Sequence, residues 1–186
     1  MINVHLKSKL LTFGEHFSTS DETLRAQVGY FALQRRAAEA ISLREHVTRL
    51  LSSGRNVVVL GDLNDVHEAA TTQLLYCPPG SQLRDPEDAT RSTGAFQRRD
   101  NGDARRLFNV TNLIPKKSRW SRKHNGQEEL LDHILASEQL MPRDQHGLRQ
   151  VPTVSILNEN TPTLMGDDPT DEGVIPDHAP VTATFV

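Results

Sequence analysis

Val57-Val58-Val59-Leu60-Gly61-Asp62-Leu63-Asn64-Asp65 is the stretch whose reading decides the fold. Four consecutive large apolar residues without alternation predict a strand buried on both faces. Gly61 permits a tight backbone turn where that strand ends. Asp62 and Asn64, two residues apart, point the same way if the extended geometry persists beyond Gly61. A carboxylate and a carboxamide at the mouth of a buried strand make a polar site. The plain alternative is a routine strand exit, where Asp and Asn bond to their own backbone.

Upstream, apolar positions from Leu33 through Ala37, Ala40, Ile41, Val47, Leu50 and Leu51 recur at three- and four-residue spacing. This predicts a helix over about 23–53, with Ser20 as its cap, Asp21 and Glu22 in its first turn and Gly54 just past its end. Thirty residues span roughly 45 Å, so a break near Gly29 is one expectation. Arg25 near the helix start either faces a ligand or is a solvated helix residue. Residues 12–20 read as a polar loop. Before them, Asn3 to Lys9 alternates polar and apolar residues as a strand does, with His5 on its polar face.

Downstream, Val66 to Leu75 reads as a short helix. Its His67-Glu68-Ala69-Ala70-Thr71 lacks the second histidine of a zinc-protease helix, which excludes that chemistry. Pro78-Pro79-Gly80 ends regular structure, and 81–115 reads as loop with short helices. Ten of the 21 basic residues fall within 91–123. The densest part, Lys116 to His124, is either a solvated charged face or a phosphate-facing patch in which Arg119 makes contacts and Trp120 stacks. Leu130 to Ser137 is a strand carrying one acid, Asp132, which must find a histidine or backbone donor if buried. Val151 to Leu157 is strand-like, and 158–176 is an acidic loop without calcium-loop spacing. Val181, Ala183 and Phe185 alternate in a final strand entered through Asp177-His178.

The totals bound the class. The chain has 186 residues, 36% hydrophobic and 5% aromatic, which predicts one domain over 1–186 with an aliphatic core. A net charge of −3 does not by itself announce a nucleic-acid binder, so such binding needs a local basic patch. The lone cysteine, Cys77, excludes an intrachain disulfide and a multi-cysteine metal site. No apolar run approaches membrane-spanning length and no signal-peptide core opens the chain, so the expectation is a cytoplasmic protein as written, or a secreted one if a segment lies upstream.

His5, Asp62 with Asn64, Asp132, and Asp177 with His178 all lie on or at the ends of strands that one sheet can bring together. Histidine–carboxylate pairs suit acid/base work, because the carboxylate fixes the tautomer of the histidine and stabilises its charged form. Surplus oxygen ligands suit Mg²⁺, which shares its shell with water and substrate phosphate. There is no nucleophile elbow and no glycine-rich phosphate loop. The inventory favours metal-assisted attack by water on a phosphoester over covalent catalysis.

The ordered set Asn3-Val4-His5-Leu6-Lys7-Ser8, Gly61-Asp62-Leu63-Asn64, Leu131-Asp132-His133-Ile134-Leu135-Ala136-Ser137 and Asp177-His178-Ala179-Pro180-Val181 resembles the endonuclease/exonuclease/phosphatase superfamily, the DNase I-like fold. The resemblance implies an α+β fold, a β-sandwich flanked by helices, and metal-dependent phosphoester hydrolysis. It implies that Asp62 orients or deprotonates the attacking water and that Asn64 helps hold water or phosphate. His178, oriented by Asp132, acts on the scissile phosphate. His5 contacts the phosphate or the leaving oxygen, and Asp177 contributes to a site for Mg²⁺ (Mn²⁺ or Ca²⁺ as alternatives). His133 has no matched role and reads as a structural strand residue.

The resemblance covers the C-terminal half or somewhat more of the family domain and implies that its N-terminal strands, with their metal-binding glutamate, are lacking. It therefore predicts one open flank beside the strand of Val57–Leu60. The leading function is a nuclease acting on DNA, because of the basic 91–123 segment. The alternatives are an inositol-phosphate or lipid phosphoesterase, and a catalytically silent phosphate-binding fragment.

Overall fold

The computed structural model describes residues 1–76, 105–141, 153–157, 163–164 and 177–185. The apolar run becomes β2 (Val58–Asp62) in a four-stranded mixed sheet. On one side it pairs in parallel with β1 (Ile2–His5), on the other antiparallel with β6 (Asp132–Ser137). β3 (Leu107–Asn109) pairs with β6, giving the order β1-β2-β6-β3. β2 thus has neighbours on both flanks, which corrects the expected open flank. Among the described residues the sheet edge falls one strand further out, at β1.

The unalternating run has a direct cause. Val57 and Val59 pack against Ala40, Val47 and Leu51 of α1 (Glu22–Ser52), together with Leu6, Leu107 and Leu135. Val58 and Leu60 join Ile134 and Ala136 on the opposite face, with Val154 of β7 (Thr153–Ile156) and Val181 and Ala183 of β9 (Val181–Thr184). β7 and β9 form an antiparallel pair that covers this second face. The layers are helix, four-stranded sheet and two-stranded sheet, in agreement with the expected α+β sandwich.

α1 connects the two parallel strands β1 and β2, as a parallel pair requires. It is one 31-residue helix, without a break at Gly29. A Cβ at Gly29 would meet only Leu11 Cδ1 at 3.9 Å, so no close approach requires glycine at this position. Asp21, not Ser20, is the cap: its Oδ1 accepts from the Leu24 N–H at 2.9 Å. The helix ends with Gly54 at φ 79° and two closing bonds, Gly54 N–H to Leu51 O and Arg55 N–H to Leu50 O.

Elsewhere the structure departs from expectation. Val66 to Leu75 holds only the four-residue α2 (Ala70–Gln73), entered through turns. The expected loop before residue 115 contains β3 and a 3-10 turn, Val110–Leu113. The basic segment folds into a hairpin of β4 (Arg122–His124) and β5 (Gln127–Glu129). Asn125 and Gly126 turn it at φ 48° and 76°, the left-handed pair that two-residue hairpins favour. β8 (Thr163–Leu164) adds to β4 in parallel. The breaker at Pro78–Gly80, the irregular 81–104 and, apart from 163–164, the acidic 158–176 lie outside the described residues.

Candidate active site

Asp62 and Asp132 are register partners across β2 and β6, so their carboxylates leave the same side of the sheet. By alternation this is the face of Val58, Leu60 and Ile134, at the end of the ladder where the cover of β7 and β9 stops. The chain enters β9 there. The Ala179 N–H donates to Ser121 O at 2.7 Å, and His178 bridges backbone to backbone with Arg122. These contacts seat the His178 ring with Nδ1 2.6 Å from Asp132 Oδ2. One ligand-type atom from each of Asp62, Asp132 and His178 lies within 4.8 Å of the others.

Electrostatics divides the two carboxyls. Burial pushes Asp62 above the usual aspartate range and nearby Asp132 adds to the rise, against the lowering bond from the Asn64 N–H. Burial also acts on Asp132, but the hydrogen bonds from His178 and Ser121 outweigh it and hold this carboxyl below the usual range. For His178, burial alone would lower the pKa. The Asp132 hydrogen bond and charge, with Asp62 and Asp177 further off, raise it instead. A charge-assisted bond this short favours the ionised partners.

Gly61 sits where β1 crosses closest. Its φ is 131°, and a Cβ there would stand 2.0 Å from Val4 O. The glycine therefore does not end the strand as expected; the ladder continues to Asp62, and what requires Gly61 is the approach of β1. Asn64 is not on an extended continuation either. At φ 53° it folds back, and its N–H donates to Asp62 Oδ1 at 2.7 Å. Its Nδ2 donates to Leu6 O at 3.0 Å and to Asp62 Oδ2 at 3.1 Å. The local Asx turn and the polar site turn out to be the same feature.

His5 closes one side of the cluster with Nε2 3.6 Å from Asp62 Oδ2, its side chain 74% exposed. Asp177 lies at the mouth, Oδ2 3.8 Å from His178 Nε2 and 3.9 Å from Arg122 Nε. The structure does not bring the other expected phosphate contacts to this cluster. Arg25 is exposed on α1 and pairs with Glu22 at 2.7 Å. Arg119 spends its guanidinium on the carbonyls of Ile114 and Asn112. Trp120 lies beneath Lys123, whose Nζ is 5.9 Å from the ring centroid and also pairs with Glu128 at 3.4 Å.

Three supporting residues escaped sequence reasoning. Ser121 is fully buried, and its Oγ accepts from the N–H groups of Leu131 (3.1 Å) and Asp132 (3.2 Å) while bonding the Asp132 side chain. One hydroxyl offers one donor and two acceptor sites, and all are used. Asn109 and Asp65 fix His133 from both sides: Asn109 Nδ2 donates to Nδ1 at 3.0 Å, and Nε2–H donates to Asp65 O at 2.9 Å. This neutral ring is buried and its pKa is lowered to about 4 by desolvation. His133 is thus the structural strand residue expected. The Asp65 carboxylate meets Arg36 of α1 (3.2 Å), Lys9 (3.2 Å) and Thr71 (2.6 Å), locking the loop after β2 onto the helix. The Asn125-Gly126 pair was the available signal for Ser121, since it defines the hairpin that places Ser121 beside Leu131.

The donor set fits a divalent cation. Asp62 and Asp132 bring two carboxylates within 4.8 Å of each other and of a His178 nitrogen, a concentration of oxygen donors at one point. Asp177 offers a further oxygen at the mouth, while the Asp132 oxygen facing His178 is already engaged. Such a set suits a hard ion that keeps waters and shares a substrate phosphate, rather than a closed protein cage.

The family model for the Endonuclease/Exonuclease/phosphatase family matches residues 7–155. The chain belongs to this family of phosphoesterase- and nuclease-type hydrolases, which typically depend on a divalent metal. The match contains Asp62, Asn64 and Asp132; geometry adds His5 before it and Asp177-His178 after it. No curated protein and no solved structure matches the chain. Among the described residues, no helix is long and apolar enough to cross a membrane.

Proposed function

We propose that this chain hydrolyses phosphodiester bonds in DNA by attack of an activated water. The observation that carries the reading is the Asp62–Asp132–His178 cluster in a chain of this family. Asp62, a stronger base than an ordinary aspartate, orients the water and takes its proton. The Asn64 N–H and Nδ2 hold that carboxylate in one orientation. Asp132 takes Nδ1 of His178, which leaves Nε2 for the substrate. The raised pKa favours the cationic ring, whose Nε2–H donates to a phosphoryl oxygen and offsets the charge that develops there. His5, beside Asp62 and open to solvent, serves the leaving-oxygen side. Asp177 is the residue that would contribute to a site for Mg²⁺, with Mn²⁺ or Ca²⁺ as substitutes, and the cation would polarise a phosphoryl oxygen.

DNA is favoured by the basic 91–123 segment, of which Lys116 and Lys117 lie on an exposed turn. The internal engagement of Arg119 and Lys123 subtracts from that patch, and the alternative substrate of the same chemistry is an inositol-phosphate or lipid phosphoester. Assay of the chain with Mg²⁺ on plasmid DNA, phosphoinositides and sphingomyelin separates the two. Nicking of DNA is the expected result, and turnover of the lipid or inositol substrates alone would overturn the nuclease assignment.

A further inference from the structure

Arg122 was absorbed into a basic run at the level of sequence, yet its setting sets it apart from the other cations of that run. Its Nε is buried and has no hydrogen-bond partner among the described residues. The anion beside it, Asp177 Oδ2, stands 3.9 Å away, beyond hydrogen-bond reach. A guanidinium N–H withdrawn from water without an acceptor is unfavourable, so the position calls for one. Arg119 and Lys123, its neighbours in sequence, already have theirs.

The backbone fixes which way Arg122 faces. It lies directly opposite His178 in an antiparallel bridge, and residues so paired project their side chains to the same side. Arg122 and His178 therefore share one carboxylate, Asp177, at 3.9 and 3.8 Å. If Asp177 turns to a cation, as proposed above, neither retains it. The mouth of the site then holds a planar guanidinium with free donors beside the Asp132-bound imidazole.

We infer that Arg122 is a substrate-binding residue of this site, its guanidinium donating to the oxygens of a substrate phosphate group. The inference deepens the phosphoester reading and rests on it. Arginine suits the role because its fork of N–H donors matches two phosphate oxygens, whereas a lysine supplies a point charge.

The test is binding of inorganic phosphate to the full chain with Mg²⁺ present, by calorimetry, for the wild type, Arg122→Gln and Arg122→Lys. Thermal melts establish that each variant is folded. Arg122→Gln is expected to weaken phosphate binding about ten- to a hundredfold, with Arg122→Lys intermediate. On bis(4-nitrophenyl) phosphate the same variants are expected to raise KM more than they lower kcat. Equal phosphate affinity in the wild type and Arg122→Gln, or no phosphate binding by the wild type, overturns the assignment of Arg122. Absence of turnover with Arg122-dependent phosphate binding intact overturns the hydrolase reading and leaves Arg122 as an anion contact. Turnover with phosphate affinity indifferent to Arg122 does the reverse.

Discussion

Acidification is expected to remove stability from this fold through His133. The ring is 1% exposed, and its two hydrogen bonds, from Asn109 Nδ2 and to Asp65 O, require the neutral tautomer with the proton on Nε2. Desolvation lowers its pKa from 6.5 to about 4. Above pH 6.5 the ring is neutral in both folded and unfolded chains, and its contribution is fully present. As pH falls from 6.5 to about 4, the unfolded chain takes up a proton that the folded chain refuses, so stability is lost. The slope is about 1.4 kcal/mol per pH unit, about 3 kcal/mol across the window. Below it both states are protonated and this loss stops. The assay is urea unfolding of the wild type and His133→Gln at half-unit steps from pH 7.5 to 4. The variant starts less stable, because the buried network is broken, but its stability is expected to fall less steeply over that window. Parallel curves for the two proteins would refute the reasoning, since the slope would then belong to other groups such as His67, whose pKa burial also lowers.

Gly61→Ala forces a Cβ to within 2.0 Å of Val4 O at a φ of 131° and is expected to cost about 3 kcal/mol or more in urea unfolding, with β1 displaced; a change below about 1 kcal/mol would contradict the close approach. Asp65→Ala leaves Arg36 buried without its carboxylate and is expected to destabilise by about 3–5 kcal/mol by the same measurement. Because Asp65 is held below the usual aspartate range, despite burial, by Thr71, Lys9 and Arg36, its contribution is present above pH 3.8 and is lost as pH falls through the lower folded value. Asp132→Asn is expected to lower the pKa of His178, read by NMR titration of the ring, and to cut turnover about 10²–10⁴-fold while KM moves little. An unmoved His178 titration would show that the 2.6 Å contact does not set its charge.

The elements that could be read in advance were those with enough residues to show a period. α1 runs eight turns of recurring apolar residues, and β2, β6 and β9 carry four or more positions each. The three-residue strands β3, β4 and β5 are too short for alternation to register, and β4 and β5 are charged because they lie outside the core. Their position is announced by Asn125-Gly126, a turn signal rather than a hydrophobic one. At the site, residue types and order pointed to Asp62, Asn64, Asp132 and His178. What no pattern conveyed was the division of labour: that Asn64 folds back through a positive φ to hold Asp62, or that Ser121 supports Asp132 from a hairpin. Arg119, Arg122 and Lys123 look alike as letters in a basic run, and only the packed chain separates a carbonyl clamp, a site-facing guanidinium and a surface ion pair. The open flank was placed one strand too far in because β1 itself supplies the neighbour that β2 needs.

The proposed hydrolysis requires Asp62, Asp132 and His178 to act as one water-activating site. Its most direct test is the rate at which the 186-residue chain nicks supercoiled plasmid DNA with Mg²⁺, compared with Asp62→Ala and His178→Ala at matched folded concentration. The expected result is metal-stimulated nicking by the unsubstituted chain and loss of at least about a hundredfold in each variant. Nicking that survives both substitutions, or no metal-stimulated nicking by the unsubstituted chain, would contradict it.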